Sequence, residues 1–257
     1  VFKLHQLGRV VSDKVFLREY DPKRPRFNVE GEAEGTDEGE HGLEVYRFPA
    51  RSVKEAVAKQ FAQVLLDSIQ CRRDLVDGSM TSWSLMPGYR FSIEGHPLDE
   101  LNTELLAIAT TLEHFNERSQ VGGGTDGGAS RTVATFEAIP TARSNYRPER
   151  LPRARPLAGI QTGSTTGASG QEVHVDENGC VNVQFPWDRE GKNDETSSLP
   201  MRTLQMPTGG SMLLPRVGWE VFVQNDEGDV DLPFVTARVY NALTPPPYAL
   251  PGGAARS

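Results

Sequence analysis

Short runs in which apolar and polar residues alternate recur along most of this chain, the period of strands with one buried face. Val10, Val11, Val15, Phe16 and Leu17 supply β-prone runs near the start. The acidic, glycine-rich stretch from Glu30 to Gly42 has Ala33 as its one apolar residue and predicts a loop. In residues 42–50, Leu43, Val45 and Arg47 alternate with Glu44, Tyr46 and Phe48, predicting a strand. The period then changes. Val53, Ala56, Val57, Phe61, Val64, Leu65, Ser68 and Ile69 fall at helical spacings, predicting a helix over Ser52–Cys71. Ser52 and Glu55 have the spacing of a capping box, and Arg72 and Arg73 stand where cations favour the helix dipole. Strands return after Asp74, at about Tyr89–Glu94, Glu104–Phe115 and Arg131–Pro140. Both faces of the second are apolar, so a helix also fits, but Thr103, Thr110, Thr111 and the Gly/Pro punctuation favour strand. Val121–Ser130 reads as a flexible hairpin tip, without the Gly-Lys-Ser/Thr that a phosphate-cradling loop requires.

Residues 143–156 carry three prolines and five arginines and predict an extended, stiff linker. The expected organisation is a mainly β domain with one helix over residues 1–142, that linker at 143–156, a small closed barrel over 157–245, and a tail at 246–257. Within the barrel, Val173 and Val175 precede a turn, and Val181, Val183 and Phe185 follow it. A two-residue loop at Asn178-Gly179 would put the valines of the two strands on opposite faces. A loop of Glu177, Asn178 and Gly179 pairs Val181 with Val175 and Val183 with Val173, so register favours the longer loop, with Gly179 left-handed. Further strands are expected at Met201–Gln205, at Trp219–Val223 with those odd positions on one face, and at Pro233–Val239 with Val235, Ala237 and Val239 facing alike. Short strands without a helix predict a barrel of the OB type.

The 257 residues are 37% hydrophobic, enough to build cores, and no window approaches the roughly 18 apolar residues of a membrane span. A net charge of −8 argues against a general binder of nucleic acid or anionic membranes. From Arg155 to Pro245 six basic residues face twelve acidic ones, so a phosphate backbone would be repelled from the barrel. Cys71 and Cys180 make neither a disulfide scaffold nor a zinc signature. The start at Val1, with no charged-then-apolar leader, reads as a piece of a longer protein.

Candidate chemistry is sparse. His5, His41, His96, His114 and His174 have no second ligand at helical or strand spacing, and His96 in Gly-His-Pro reads as a turn residue. There is no Gly-x-Ser-x-Gly elbow. Asp188/Glu190, Asp194/Glu195 and Asp226/Glu227/Asp229 could supply paired carboxylates, but all fall in polar turns and read as solvated loop charge. No catalytic residue, metal site or cofactor is expected.

The second part carries a long ordered motif: Asp176, Gly179, Val181, Val183, Phe185, Trp187, Asp188, Arg189 and Gly191, then Pro215, Arg216, Gly218, Glu220, Val221, Glu227, Gly228, Asp229, Pro233, Val239, Tyr240, Asn241, Pro247 and Tyr248. In this it resembles the VgrG family of type VI secretion spikes, relatives of the baseplate hub and central spike of contractile phage tails. The first part resembles the second half of that family's hub region, through Tyr20-Asp21 with Pro25, Leu43–Tyr46, and Phe91–Pro97 with Leu101-Asn102. It departs where Leu199-Pro200-Met201 replaces a usual aromatic, and in a shorter loop over residues 206–212 that lacks the family's tryptophan. The family's first hub domain and its C-terminal needle are not in this sequence. The resemblance implies a non-enzymatic trimer seated on an Hcp-like tube, carrying a PAAR-type tip protein and effectors. It implies transient puncture of membranes without an anchor, and residence in the bacterial cytoplasm before delivery into a target cell. Gly179, Trp187, Asp188, Arg189, Pro215, Arg216, Gly218, Gly228, Tyr240 and Asn241 are its structural signature. The alternatives are an OB-fold ligand-binding module, or a phage-type spike whose cell-wall hydrolase lies outside this stretch.

Overall fold

The computed structural model describes residues 3–35, 42–116, 130–142, 146–149, 158–210 and 212–253. The chain divides into two compact units, Val1–Leu151 and Pro152–Ser257. No described helix is long and apolar enough to cross a membrane.

The first unit holds β1 (Lys3–Gly8), β2 (Lys14–Tyr20), β3 (Asn28–Glu34), β4 (Glu44–Arg47), α1 (Glu55–Gln70), β5 (Asp74–Met80), β6 (Arg90–Ser92), β7 (Glu104–Asn116) and β8 (Ser130–Pro140). A three-stranded sheet in the order β3-β2-β4 packs against α1, and a five-stranded sheet runs β1-β5-β8-β7-β6. The first five residues of the expected Glu30–Gly42 loop in fact belong to β3. Its inward positions, Val29, Gly31 and Ala33, are small, so they give no strong apolar signal in the sequence. They are small because α1 lies on them: a Cβ on Gly31 would sit 2.3 Å from the carbonyl carbon and oxygen of Ala58. The outward positions, Glu30, Glu32 and Glu34, pair with Arg18 and Lys14 of β2. Residues 36–41 and 117–129 lie outside the described residues, and with them all of the expected tip at Val121–Ser130 except Ser130, which begins β8.

Helix α1 buries Ala58, Ala62, Leu66 and Ser68. It begins later than expected, and the capping box does not form: Lys54 is the N-cap and makes no side-chain cap bond. The Ser52 hydroxyl instead accepts the Lys54 N–H at 3.2 Å, one residue short of the Glu55 amide that a capping box would bond. Arg72 and Arg73 lie beyond the last turn, where Arg72 pairs with Glu149 and Arg73 with Asp74. Part of the expected linker therefore packs on this helix end. Cys71 Sγ donates to the Arg147 carbonyl at 3.3 Å.

In the larger sheet, Val76, Leu105, Phe136 and Ala138 make one core and Cys71, Leu75 and Ile139 another. The pairing of β5 with β8 ends at Met80 opposite Ala134, but β7 and β8 stay paired to Asn116 opposite Ser130. The end of that hairpin is a two-stranded ribbon.

The second unit holds β9 (Gln161–Thr166), β10 (Asn182–Gln184), β11 (Arg202–Thr203), β12 (Glu220–Asn225) and β13 (Pro233–Val239), in the order β10-β9-β12-β13-β11. A bridge between Val181 and Met201 joins the two outer strands and closes the ring. With β11 parallel to β13 and the other strand pairs antiparallel, this is the five-stranded barrel of the OB fold. Val181, Val183, Met201, Val221, Val223 and Val235 fill it.

Two expectations fail here. Residues 173–175 form no strand: Val183 lies opposite Thr165 of β9, Val181 opposite Met201, and Val173 is exposed. The glycine and threonines of β9, Gln161–Thr166, concealed the true partner. The second failure is in β13, where the pairing shifts between Phe222 and Val223, leaving Thr236 as a bulge. Alternation breaks at that point, so Val235 is buried while Ala237 is exposed.

Candidate functional site

The signature residues divide between the two ends of β9. At the Thr166 end lie four chain segments. The first is the turn of Glu177, Asn178 and Gly179, where Asp176 N–H donates to the Cys180 carbonyl at 3.1 Å and the Asp176 carboxylate accepts from the Asn178 and Cys180 amides at 2.9 and 2.8 Å. This is the three-residue loop that the sequence favours, and Gly179 has φ +73°. Gly179→Val is expected to cost more than about 1 kcal/mol, because a β-branched residue is strained in that region. A denaturant titration of the variant with an unchanged midpoint would refute the role given to this turn.

The second and third segments are joined by Thr165, which is 3% exposed. Its hydroxyl donates to the Arg216 carbonyl at 2.5 Å and accepts the Trp219 amide at 3.0 Å. Gly218, at φ +83°, donates its amide to the Thr165 carbonyl at 2.8 Å, so Pro215–Trp219 is riveted to β9. Pro215 is buried there, and the Arg216 guanidinium pairs with Glu172 on the surface. The fourth segment leaves β13. Asn241 donates to Glu220 at 2.7 Å and accepts the Leu243 and Thr244 amides at 2.9 and 2.8 Å. Arg238 lies between the rings of Trp219 and Tyr240, 3.5 and 4.7 Å from their centroids.

At the Gln161 end, Trp187 stacks on Phe185 with centroids 5.0 Å apart and donates its indole N–H to Gln161 at 3.0 Å, yet it remains 68% exposed. Asp188 accepts the Glu190 and Gly191 amides at 3.0 and 3.1 Å, which fixes the turn that presents the exposed Arg189. Gly228, at φ +74°, lies in the short turn between β12 and β13. The signature therefore does not converge on one cleft; its members build turns, and Trp187, Arg189 and Tyr240 face solvent. Sequence reasoning missed Thr165 and the buried Gln184, whose amide donates to the Phe185 and Asp188 carbonyls. Neither has a motif-like spacing, so only the register exposes them.

Charge is used in the same way. The Glu190 amide, aided by Gln184 and Gly191, holds the Asp188 carboxyl below its ordinary range, and the Thr196 hydroxyl and amide do so for Asp194. In the first unit, Arg24 does so for Asp21, whose carboxylate also accepts the Lys23 amide at 3.0 Å. A carboxyl held low binds fewer protons folded than unfolded, so its stabilisation is present above about pH 4 and is lost as pH falls through the folded value. Unfolding titrations should show stability level from about pH 5 to 8 and falling below about pH 4. Asp21→Asn should flatten that fall, and an equal fall in the variant would assign it elsewhere.

Among the described residues no three His, Cys, Asp or Glu are grouped to hold a metal. His5 pairs with Asp77, His174 with Gln171, and His114 with Thr132. His41 lies outside the described residues.

Residues 1–117 match the family model for the phage tail baseplate hub. The chain is 34% identical over 239 residues to the type VI secretion system spike protein VgrG2a of Pseudomonas aeruginosa, covering 91% of this chain and 28% of that protein. It is 31% identical over 257 residues to VgrG1b of the same organism, covering 98% of this chain and 34% of that one. Among solved structures it is similar to the E. coli c3393 protein, a type VI secretion component likened to the phage tail proteins gp27 and gp5, at 21% identity over 88% of this chain and 56% of that chain, with a TM-score of 0.45. The chain thus spans about a third or less of the length of these curated relatives.

Proposed function

The chain belongs to the VgrG family of type VI secretion spike proteins, and on that premise we propose that it is a structural part of a contractile injection spike. The observation that carries this reading is the use made of the signature. Of the ten residues expected to matter, seven are spent on turns and rivets at both ends of a closed barrel and three, Trp187, Arg189 and Tyr240, face solvent, with no converging cleft between them. A closed barrel leaves no strand edge to peel, which suits a part that transmits force.

In this reading three copies surround one axis. The first unit forms hub, seated on a tube of Hcp-like rings, and the barrel is the neck below it. A PAAR-type tip protein and effectors travel with the assembly from the bacterial cytoplasm into the target cell. The chain supplies rigidity rather than chemistry, and any hydrolytic activity belongs to other segments or partners.

The test joins mass and turnover. Sedimentation of the native protein should give three copies, and this chain should hydrolyse no cell wall, ester or phosphate and bind no single-stranded DNA at physiological salt. A native monomer, or turnover that one carboxylate substitution abolishes, would overturn the reading.

A further inference from the structure

The larger sheet of the first unit carries a cleft of about 650 Å³ on the face that bears Phe136. Its floor includes Leu4, Met80, Phe91 and Phe136, with Leu85 and Ile93 from the covering segment. All but Phe136 are half-buried, so the cleft is an uncovered part of the core. The wall is firmly built. Asn102 accepts the His96 amide at 2.7 Å and donates to the His96 carbonyl at 2.9 Å, while the Leu98 amide donates to His96 Nδ1 at 3.1 Å. The segment Phe91–Pro97 is thereby held in place, and the cleft is also lined by the exposed Glu94 and by the exposed Arg90, which pairs with Glu104 at 3.4 Å.

The same unit carries a projection. Beyond Met80 and Ala134 the paired β7 and β8 have no third strand among the described residues, and a two-stranded ribbon is marginal in water by itself. Pleating fixes its faces. Leu112 and His114 share the cleft side with Thr110, which lies opposite Phe136, whereas Thr111, Glu113 and Phe115 share the other. On that far side Phe115 is 54% exposed, with Glu113 two residues before it and Arg131 opposite it.

We infer that Phe115 of one copy enters the cleft of a second copy, with Glu113 meeting Arg90 and Arg131 meeting Glu94. This rests on the trimeric reading above. Two observations favour a second copy as occupant. The flanking charges can pair, Arg131 with Glu94 and Glu113 with Arg90 in exchange for its exposed partner Glu104. The cleft and Phe115 also lie on opposite faces of one sheet, so every copy offers a donor on one side and an acceptor on the other. A closed ring of head-to-tail contacts requires that arrangement.

The experiment measures mass against concentration by sedimentation for the native protein and three variants. Phe115→Asp alters an exposed side chain and should weaken association about tenfold or more. Arg131→Glu should weaken it, and adding Glu94→Arg to Arg131→Glu should restore it. Recovery in the double variant identifies the contact even if Phe115→Asp fails to fold. A trimer whose mass is indifferent to all three variants overturns this contact and leaves the trimer standing. A native protein that stays monomeric overturns both.

Discussion

Replacing Gly31 by valine is expected to destabilise the first unit by at least about 3 kcal/mol, the upper range for side chains forced into packed interiors. Even a single Cβ there would lie 2.3 Å from the Ala58 carbonyl carbon and oxygen and 2.7 Å from the Lys59 nitrogen. These are helix backbone atoms, so no rotamer change relieves the overlap. The helix would have to rise off β2 and β3, uncovering Val15, Val29 and Leu66, each fully buried. Glu32→Val, one position along on the outward face, should cost less than about 1 kcal/mol, since it loses only a surface ion pair with Lys14. Denaturant midpoints for the two variants decide the matter. Equal losses would mean that the helix does not rest on Gly31.

Met201→Pro should cost the barrel more than about 3 kcal/mol. The ring closes through one residue pair, in which Val181 N–H donates to the Met201 carbonyl at 2.9 Å and Met201 N–H donates to the Val181 carbonyl at 2.8 Å. Proline removes the second donor and strands a carbonyl among buried valines, at about 1–3 kcal/mol. It also deletes much of a side chain that is 4% exposed in the core, on the order of 2 kcal/mol more. Met201→Leu keeps donor and volume and should cost less than about 1.5 kcal/mol. Amide exchange should quicken at Val181 and Val183 in the proline variant and stay unchanged in α1. Unchanged protection at Val183 would show that the bridge does not hold the ring.

How much of this was legible depended on whether side-chain size reported burial. The spacing of Phe61, Leu65, Ser68 and Ile69 announced the helix, although Ala58, Ala62 and Leu66, which it buries deepest, lay outside the stripe read from the sequence, and the Gly179 turn followed from which loop length aligned the valines. β3 and β9 were hidden for one shared reason. Their inward positions hold Gly31, Ala33, Gly163 and Thr165, residues chosen for close approach or a buried hydroxyl rather than for apolar bulk. A hydropathy pattern is blind to both uses. The false strand at 173–175 arose from the converse. Val173 and Val175 alternate as a strand would, yet β9 already occupies the edge of β10 that they would have needed. The bulge at Thr236 left no sign in the sequence either, since a register shift is a property of two strands together. In the signature, the resemblance supplied the residues but not their arrangement. Only register shows that Trp187 and Gly218 work at opposite ends of one strand.

That division has a consequence for how such chains diverge. The residues on which the resemblance was drawn mostly turn the backbone or tie loops to the barrel, so selection on the fold alone would preserve them. A descendant could change what it acts upon and still carry every one of these marks. Kinship read from this stretch therefore dates the scaffold and is silent on the errand.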